Sequence, residues 1–144
     1  MKGYKLARSA FLIFSLSALL GSTALAADPA TYIYTKGEFK SCGPDIPGCE
    51  TTVLFGDPAA GAFQIMYRMK KGFEFVKHWH AASESLVMVK GTVILNTEGG
   101  KEQTLKGGDY VHIPANLVHW GVCPEECVFY LFVDGANTFN VVEK

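Results

Sequence analysis

Residues 72–91 read Gly72-Phe-Glu-Phe-Val-Lys-His78-Trp-His80-Ala-Ala-Ser-Glu84-Ser-Leu-Val-Met-Val-Lys-Gly91. His78 and His80 stand two apart, so on an extended strand both imidazoles project from one face. Ala81, Ala82 and Ser83 make a small-residue break that can return Glu84 to their side at the start of the next strand. Two imidazole nitrogens and one carboxylate form the set that suits a divalent first-row metal. A further ligand follows in Gly108-Asp-Tyr-Val-His-Ile-Pro114-Ala-Asn116-Leu-Val-His119, where a Pro-containing turn precedes His119. A histidine on a strand is more often an ordinary core or surface group. Here a pair, a spaced carboxylate and a third histidine coincide, and metal binding is the better reading. His112 alternates with Val111 and Ile113 and reads instead as a surface or interface histidine.

The chain around this stretch has 144 residues, enough for one domain. Its first part reads as a signal peptide over residues 1–26. Lys2, Lys5 and Arg8 form a basic start, Ala10 to Leu20 is an apolar run, and Ala24 and Ala26 supply the small residues of a cleavage site. The run is shorter than the roughly 20 residues a bilayer span needs. Cleavage after Ala26 would leave a single domain over 27–144, in the periplasm or secreted. Losing Lys2, Lys5 and Arg8 and no acid turns 13 basic and 14 acidic residues into 10 and 14, a net charge of −4. With no basic run, nucleic acid is excluded as a partner, and so is a membrane surface once the leader is gone. A small molecule remains the expected partner, and a homodimer stays open.

Four cysteines allow three pairings, which sequence does not choose between. The local pairs Cys42–Cys49 and Cys123–Cys127 are favoured because each brackets a turn-rich loop. Loops this short would contribute roughly 2–2.5 kcal/mol each. A Cys₄ zinc site is disfavoured, since neither spacing is C-x₂-C.

Along the remainder, Tyr32-Ile-Tyr34, Thr51–Phe55, Phe63–Met69, Leu86–Val89, Thr92–Leu95, Tyr110–Ile113 and Val128–Val133 read as strands. Gly56-Asp-Pro is a turn without the Lys-Ser/Thr end of a phosphate loop. Val128–Val133 is apolar throughout, as for a strand buried on both faces. No window sustains a helical period, so the class is an all-β sandwich or barrel.

The two histidine segments closely resemble the two motifs of the cupin superfamily. Gly72, His78, His80, Glu84 and Gly91 match the first at every marked position, and Gly108, Pro114 and His119 match the second. Two departures stand out: Asn116 where the family usually has Gly, and Cys123 where it usually has Asn. The resemblance runs from about Leu54 to Val133 and is strongest to small exported single-domain cupins. It implies a double-stranded β-helix, the cupin jelly-roll barrel, with the metal enclosed. Within it, the strand of His78 and His80 is expected beside the strand that begins at Glu84, and His119 is expected from across the barrel. Three histidines and a glutamate leave positions open for a substrate. Fe or Mn is favoured by the resemblance, with Zn, Ni or Cu also compatible.

Trp79 and Trp120 each follow a ligand and should point away from it, while Phe73, Phe75, Leu86, Met88 and Leu117 should surround the site. Strict alternation puts Val76 and Glu74 on the face of His78, with Glu74 at the cavity mouth. The functional expectation is a metal-dependent oxidoreductase of dioxygenase type, or a lyase, acting on a small organic molecule. The alternative is a non-catalytic domain that binds a metal or small ligand, or senses it.

Overall fold

Apolar residues at alternate positions, cut into short runs by Gly, Pro and Asn, make strands with one buried face. A computed structural model describes residues 37–143. The leader, its Ala26 cleavage site and the Tyr32-Ile-Tyr34 candidate lie outside the described residues. Within them the strands are β1 Lys40–Ser41, β2 Cys49–Gly56, β3 Phe63–Met69, β4 Phe73–Trp79, β5 Glu84–Lys90 and β6 Thr92–Thr97. They continue as β7 Gln103–Lys106, β8 Tyr110–Ile113, β9 His119–Cys123, β10 Cys127–Val133 and β11 Asn140–Val141, with no helix among the described residues.

Two antiparallel sheets face each other, in the order β1-β2-β3-β10-β5-β8 and β11-β4-β9-β6-β7. This is the double-stranded β-helix expected from the sequence. Met69, Leu86, Met88 and Phe129 of the first sheet meet Val93, Leu95 and Cys123 of the second in one buried cluster. Phe75 reaches across to Phe129, with ring centroids 6.2 Å apart. Burial of a side chain of this size stabilises by roughly 1.5–3 kcal/mol. Phe63, Ile65 and Val133 form a second cluster, alongside the end of β5 where Glu84 pairs with Val133.

Three expectations are corrected. First, β4 and β5 do not pair; they belong to opposite sheets, and β4 lies between β11 and β9. Residues 80–83 carry the chain over to the other sheet instead of closing a hairpin. Second, β4 does not alternate strictly. Its register with β9 runs Phe75↔Gly121 and then His78↔His119, so Val76 and Lys77 form a bulge. Both are exposed, and the extra residue lets Phe73, Phe75 and His78 all face inward while Glu74 points out. Third, β10 is not buried on both faces: Phe132 is 38% exposed, because only one side of that sheet is covered.

The cysteines form Cys42–Cys49 and Cys123–Cys127, with Cα atoms 5.4 and 6.1 Å apart. The second links the end of β9 to the start of β10 and so joins the two sheets at a crossover. Gly91 of the first motif has φ 76°, and a Cβ there would sit 2.1 Å from the Glu126 carbonyl oxygen. Only glycine meets both demands.

Candidate metal centre

The bulge in β4 delivers His78 inward one residue later than alternation would. His80 follows just past the strand end. His119 opens β9 as the cross-strand partner of His78. The turn before it is held by the Asn116 N–H, which donates to the His80 carbonyl at 2.7 Å, and by the Leu117 N–H, which donates to the Pro114 carbonyl at 3.2 Å. Asn116 has φ 65°. Among residues other than glycine, asparagine is one of the few that takes this left-handed conformation readily. Its presence at a position where Gly is usual therefore preserves the turn. Glu84 comes from the facing sheet as the first residue of β5.

One nitrogen from each of His78, His80 and His119 lies within 4.8 Å of the others. Ring centroids are 4.8 Å apart for His78 and His80, and 4.2 Å for His78 and His119. Glu84 Oε1 is 3.2 Å from His80 Nε2, and its Oε2 is 3.6 Å from His119 Nε2. All four are buried, at 5–7% exposure. His119 is therefore the neighbour of His78, and Glu84 is the group from across the barrel, the reverse of the sequence expectation.

Each imidazole has its Nδ1–H directed to a backbone carbonyl. His78 donates to Val76 at 2.7 Å, His119 to Leu117 at 2.9 Å, and His80 to Thr138. A carbonyl only accepts, so these contacts fix the Nδ1–H tautomer and leave each Nε2 lone pair free, those of His80 and His119 facing Glu84. Orientation of ligating histidines by their other ring nitrogen is characteristic of metal sites. The donor set thus fits a divalent ion of nitrogen and oxygen preference.

Electrostatics agree. Burial pushes His78 down to about 4, where it is neutral at ordinary pH, and lowers His80 and His119 as well. Burial raises Glu84 to about 7. A neutral His80 at 3.2 Å from a carboxyl of this kind is a contact between neutral groups rather than an ion pair, because burial disfavours both charged forms without a cation. Tyr67 on β3, its ring centroid 5.5 Å from that of Phe129, is also raised, by burial and then by the charge of Glu84, against a hydrogen bond with Thr51 that lowers it.

His112 lies on the outer face, exposed, with Nδ1 3.1 Å from Ser85 Oγ, as the sequence suggested. Trp120 also points away from the site, with Lys77 Nζ 4.4 Å from its ring centroid. Leu86 and Met88 belong to the buried apolar cluster and Phe73, Phe75 and Leu117 pack against it, while exposed Glu74 is not at the mouth. Thr138 and Phe139 were not foreseen. Phe139 stacks on His78 with centroids 4.4 Å apart and planes at 26°, and meets His80 edge-on at 5.7 Å. An aromatic residue 20 positions past the second motif carries no local signal of this. Tyr67 read only as one member of an alternating strand.

Residues 65–134 match the family described as Cupin domain. Among curated proteins there is no match. Among solved structures, an RmlC-like cupin from Shewanella frigidimarina NCIMB 400 is similar at 22% identity and TM-score 0.62, covering 71% of this chain and 86% of that one. An acetylacetone dioxygenase from Acinetobacter johnsonii aligns at 18% identity and TM-score 0.64, over 83% of each chain. The DMSP lyase DddQ from Ruegeria pomeroyi DSS-3 aligns at 18% identity and TM-score 0.63, over 74% of this chain and 61% of that one. At these identities the likeness concerns the fold.

Proposed function

Because this chain belongs to the cupin superfamily, we propose that it is an exported metal-dependent enzyme acting on a small organic molecule, with His78, His80, Glu84 and His119 holding one divalent ion. The observation that carries this reading is the grouping of three carbonyl-oriented imidazoles, one nitrogen of each within 4.8 Å of the others, with the buried Glu84 carboxylate 3.2 Å from His80 and 3.6 Å from His119. Three neutral imidazoles and one carboxylate around a divalent ion leave a net charge of +1, suited to an anionic or oxygen-bearing ligand. The ion would supply Lewis acidity and, if iron or manganese, redox capacity.

The chain's own residues do the rest. The carbonyls of Val76, Leu117 and Thr138 hold the imidazoles in the ligating tautomer. Glu84, whose charge is costly when buried alone, ionises as the cation enters. Phe73, Phe75 and Met88 keep water from the enclosure, and the Tyr67 phenol offers a donor that can orient a substrate oxygen.

Dioxygenation or lyase chemistry is the reaction class favoured, on a β-dicarbonyl, hydroxy-acid or phenolic substrate. Proteins of the same fold include a dioxygenase of acetylacetone and a lyase of DMSP. Two disulfides fit an oxidising compartment and so support export. A second reading is a non-catalytic binding or sensor domain, in which the same ligand set would hold a metal or small ligand without turnover. Metal analysis of protein isolated from its native compartment, followed by oxygen uptake and product analysis with diketones and catechols, separates the two. Iron or manganese with metal-dependent turnover is the expected result. Ligand-induced thermal shifts without turnover would favour the binding domain, and a metal-free native protein would overturn the metal-dependent enzyme.

A further inference from the structure

The chain after β10 turns back over the site. Its Asn137 N–H donates to the Pro58 carbonyl at 2.8 Å, the Ala81 N–H donates to Thr138 Oγ1 at 2.7 Å, and the Val142 N–H donates to the Lys77 carbonyl at 2.9 Å. Asn140 and Val141 add a two-residue ladder to Trp79 and His78. Between these ties, the Thr138 carbonyl receives His80 Nδ1–H, and the Phe139 ring lies flat on His78.

Phe139 is 56% exposed while His78 beneath it is 5% exposed. A large apolar ring that stays wet on one side and covers a histidine on the other contributes little to the core. Its position makes it the outer wall between two imidazoles and solvent. The strap that carries it has only this short ladder and a few hydrogen bonds, and segments held so lightly open at far lower cost than the whole fold.

We propose that the C-terminal strap Asn137–Val142 is an access-controlling part of the site, with Phe139 as the ring that shields His78 and His80 and slows exchange of whatever they bind. Phe139 is a positioning residue and carries no chemistry. The retention half of this inference rests on the metal-binding reading above; the shielding half does not.

The test compares the purified full chain with Phe139→Ala, Phe139→Leu and Phe139→Tyr. Diethyl pyrocarbonate modification of each histidine is followed by mass spectrometry after chelator treatment. In the parent, exposed His112 should react quickly, and His78, His80 and His119 slowly. Phe139→Ala should raise the rates at His78 and His80 by roughly tenfold or more, the change expected when a local opening is made easier by 1.4 kcal/mol. His119, which Phe139 does not stack on, should change less. Phe139→Tyr should restore protection and Phe139→Leu only part of it.

With cobalt(II) loaded, chelator-driven loss should accelerate in Phe139→Ala in the same order. Unchanged rates at His78 and His80 in Phe139→Ala would overturn the proposal. Should that variant expose His119 as fully as His78 and His80 through general unfolding, Phe139→Leu decides, and parent-like rates there have the same force. A parent protein that binds no cobalt(II) would instead remove the metal reading, with the modification rates still deciding the strap.

Discussion

His78 and His119 are cross-strand partners on adjacent antiparallel strands, their rings 4.2 Å apart, whereas Glu84 faces them from the other sheet. An ion held by all three would therefore clamp the two sheets together. Glu84→Gln keeps the shape and removes the only anionic ligand. Affinity should fall by at least roughly tenfold, since losses in the outer shell of metal sites already cost that much. The metal-induced rise in melting temperature should shrink with it. A competition titration in which Glu84→Gln matches the parent would remove Glu84 from the ligand set.

Proton release on metal uptake tests the same assignment. At pH 6, Glu84, raised to about 7, is mostly protonated, while His78, lowered to about 4, is already neutral. Binding requires the carboxylate, so uptake by chelator-treated protein should release about one proton, and affinity should climb as pH rises through about 7 and then level. In Glu84→Gln the release should vanish. Calorimetry in buffers of different ionisation enthalpy counts the protons; release of two or three would assign them to the histidines instead.

Glu74→Ala should leave metal affinity and stability within roughly 0.5 kcal/mol of the parent, as for other exposed positions. The bulge at Val76 and Lys77 turns this carboxylate outward. A marked loss of metal in Glu74→Ala would mean that β4 alternates strictly after all.

At Asn116 the two small replacements should part company. Gly accepts φ 65° without strain, while Ala pays roughly 1–2 kcal/mol there. Relaxing that strain would shift the backbone N–H of residue 116, which holds the His80 carbonyl, so Asn116→Ala should also weaken metal binding. Urea midpoints and metal titration of both variants check this; equal midpoints would remove the conformational argument.

Replacing both Cys123 and Cys127 by Ser should lower stability by about 2 kcal/mol, the loop-closure contribution of so short a bridge. The bridge ties β9 to β10 across the two sheets. The denaturant midpoint of the double variant should lie below that of the oxidised parent, and the parent under reductant, which also loses Cys42–Cys49, should lie lower still. An unchanged midpoint would show that the crossover holds without the bond.

Much of the site was legible before any coordinates because ligands need particular donor atoms at particular intervals. His78, His80 and Glu84 fall within seven residues, and His119 follows a turn that Pro114 marks in the sequence. Period-two alternation in Phe63–Met69, and the absence of any helical period, likewise settled the all-β class, since one-sided burial writes itself into neighbouring positions. What lay beyond such local signals was which sheet each strand joins. Hydrogen bonding between strands is specified by distant partners, so the pairing of His78 with His119 and the placement of Glu84 opposite emerged only in three dimensions. The bulge belongs to the same class: an extra residue in β4 has meaning only against its partner β9. So does Phe139, an ordinary aromatic residue in sequence, which became the wall over His78 because the chain beyond β10 folds back across the site.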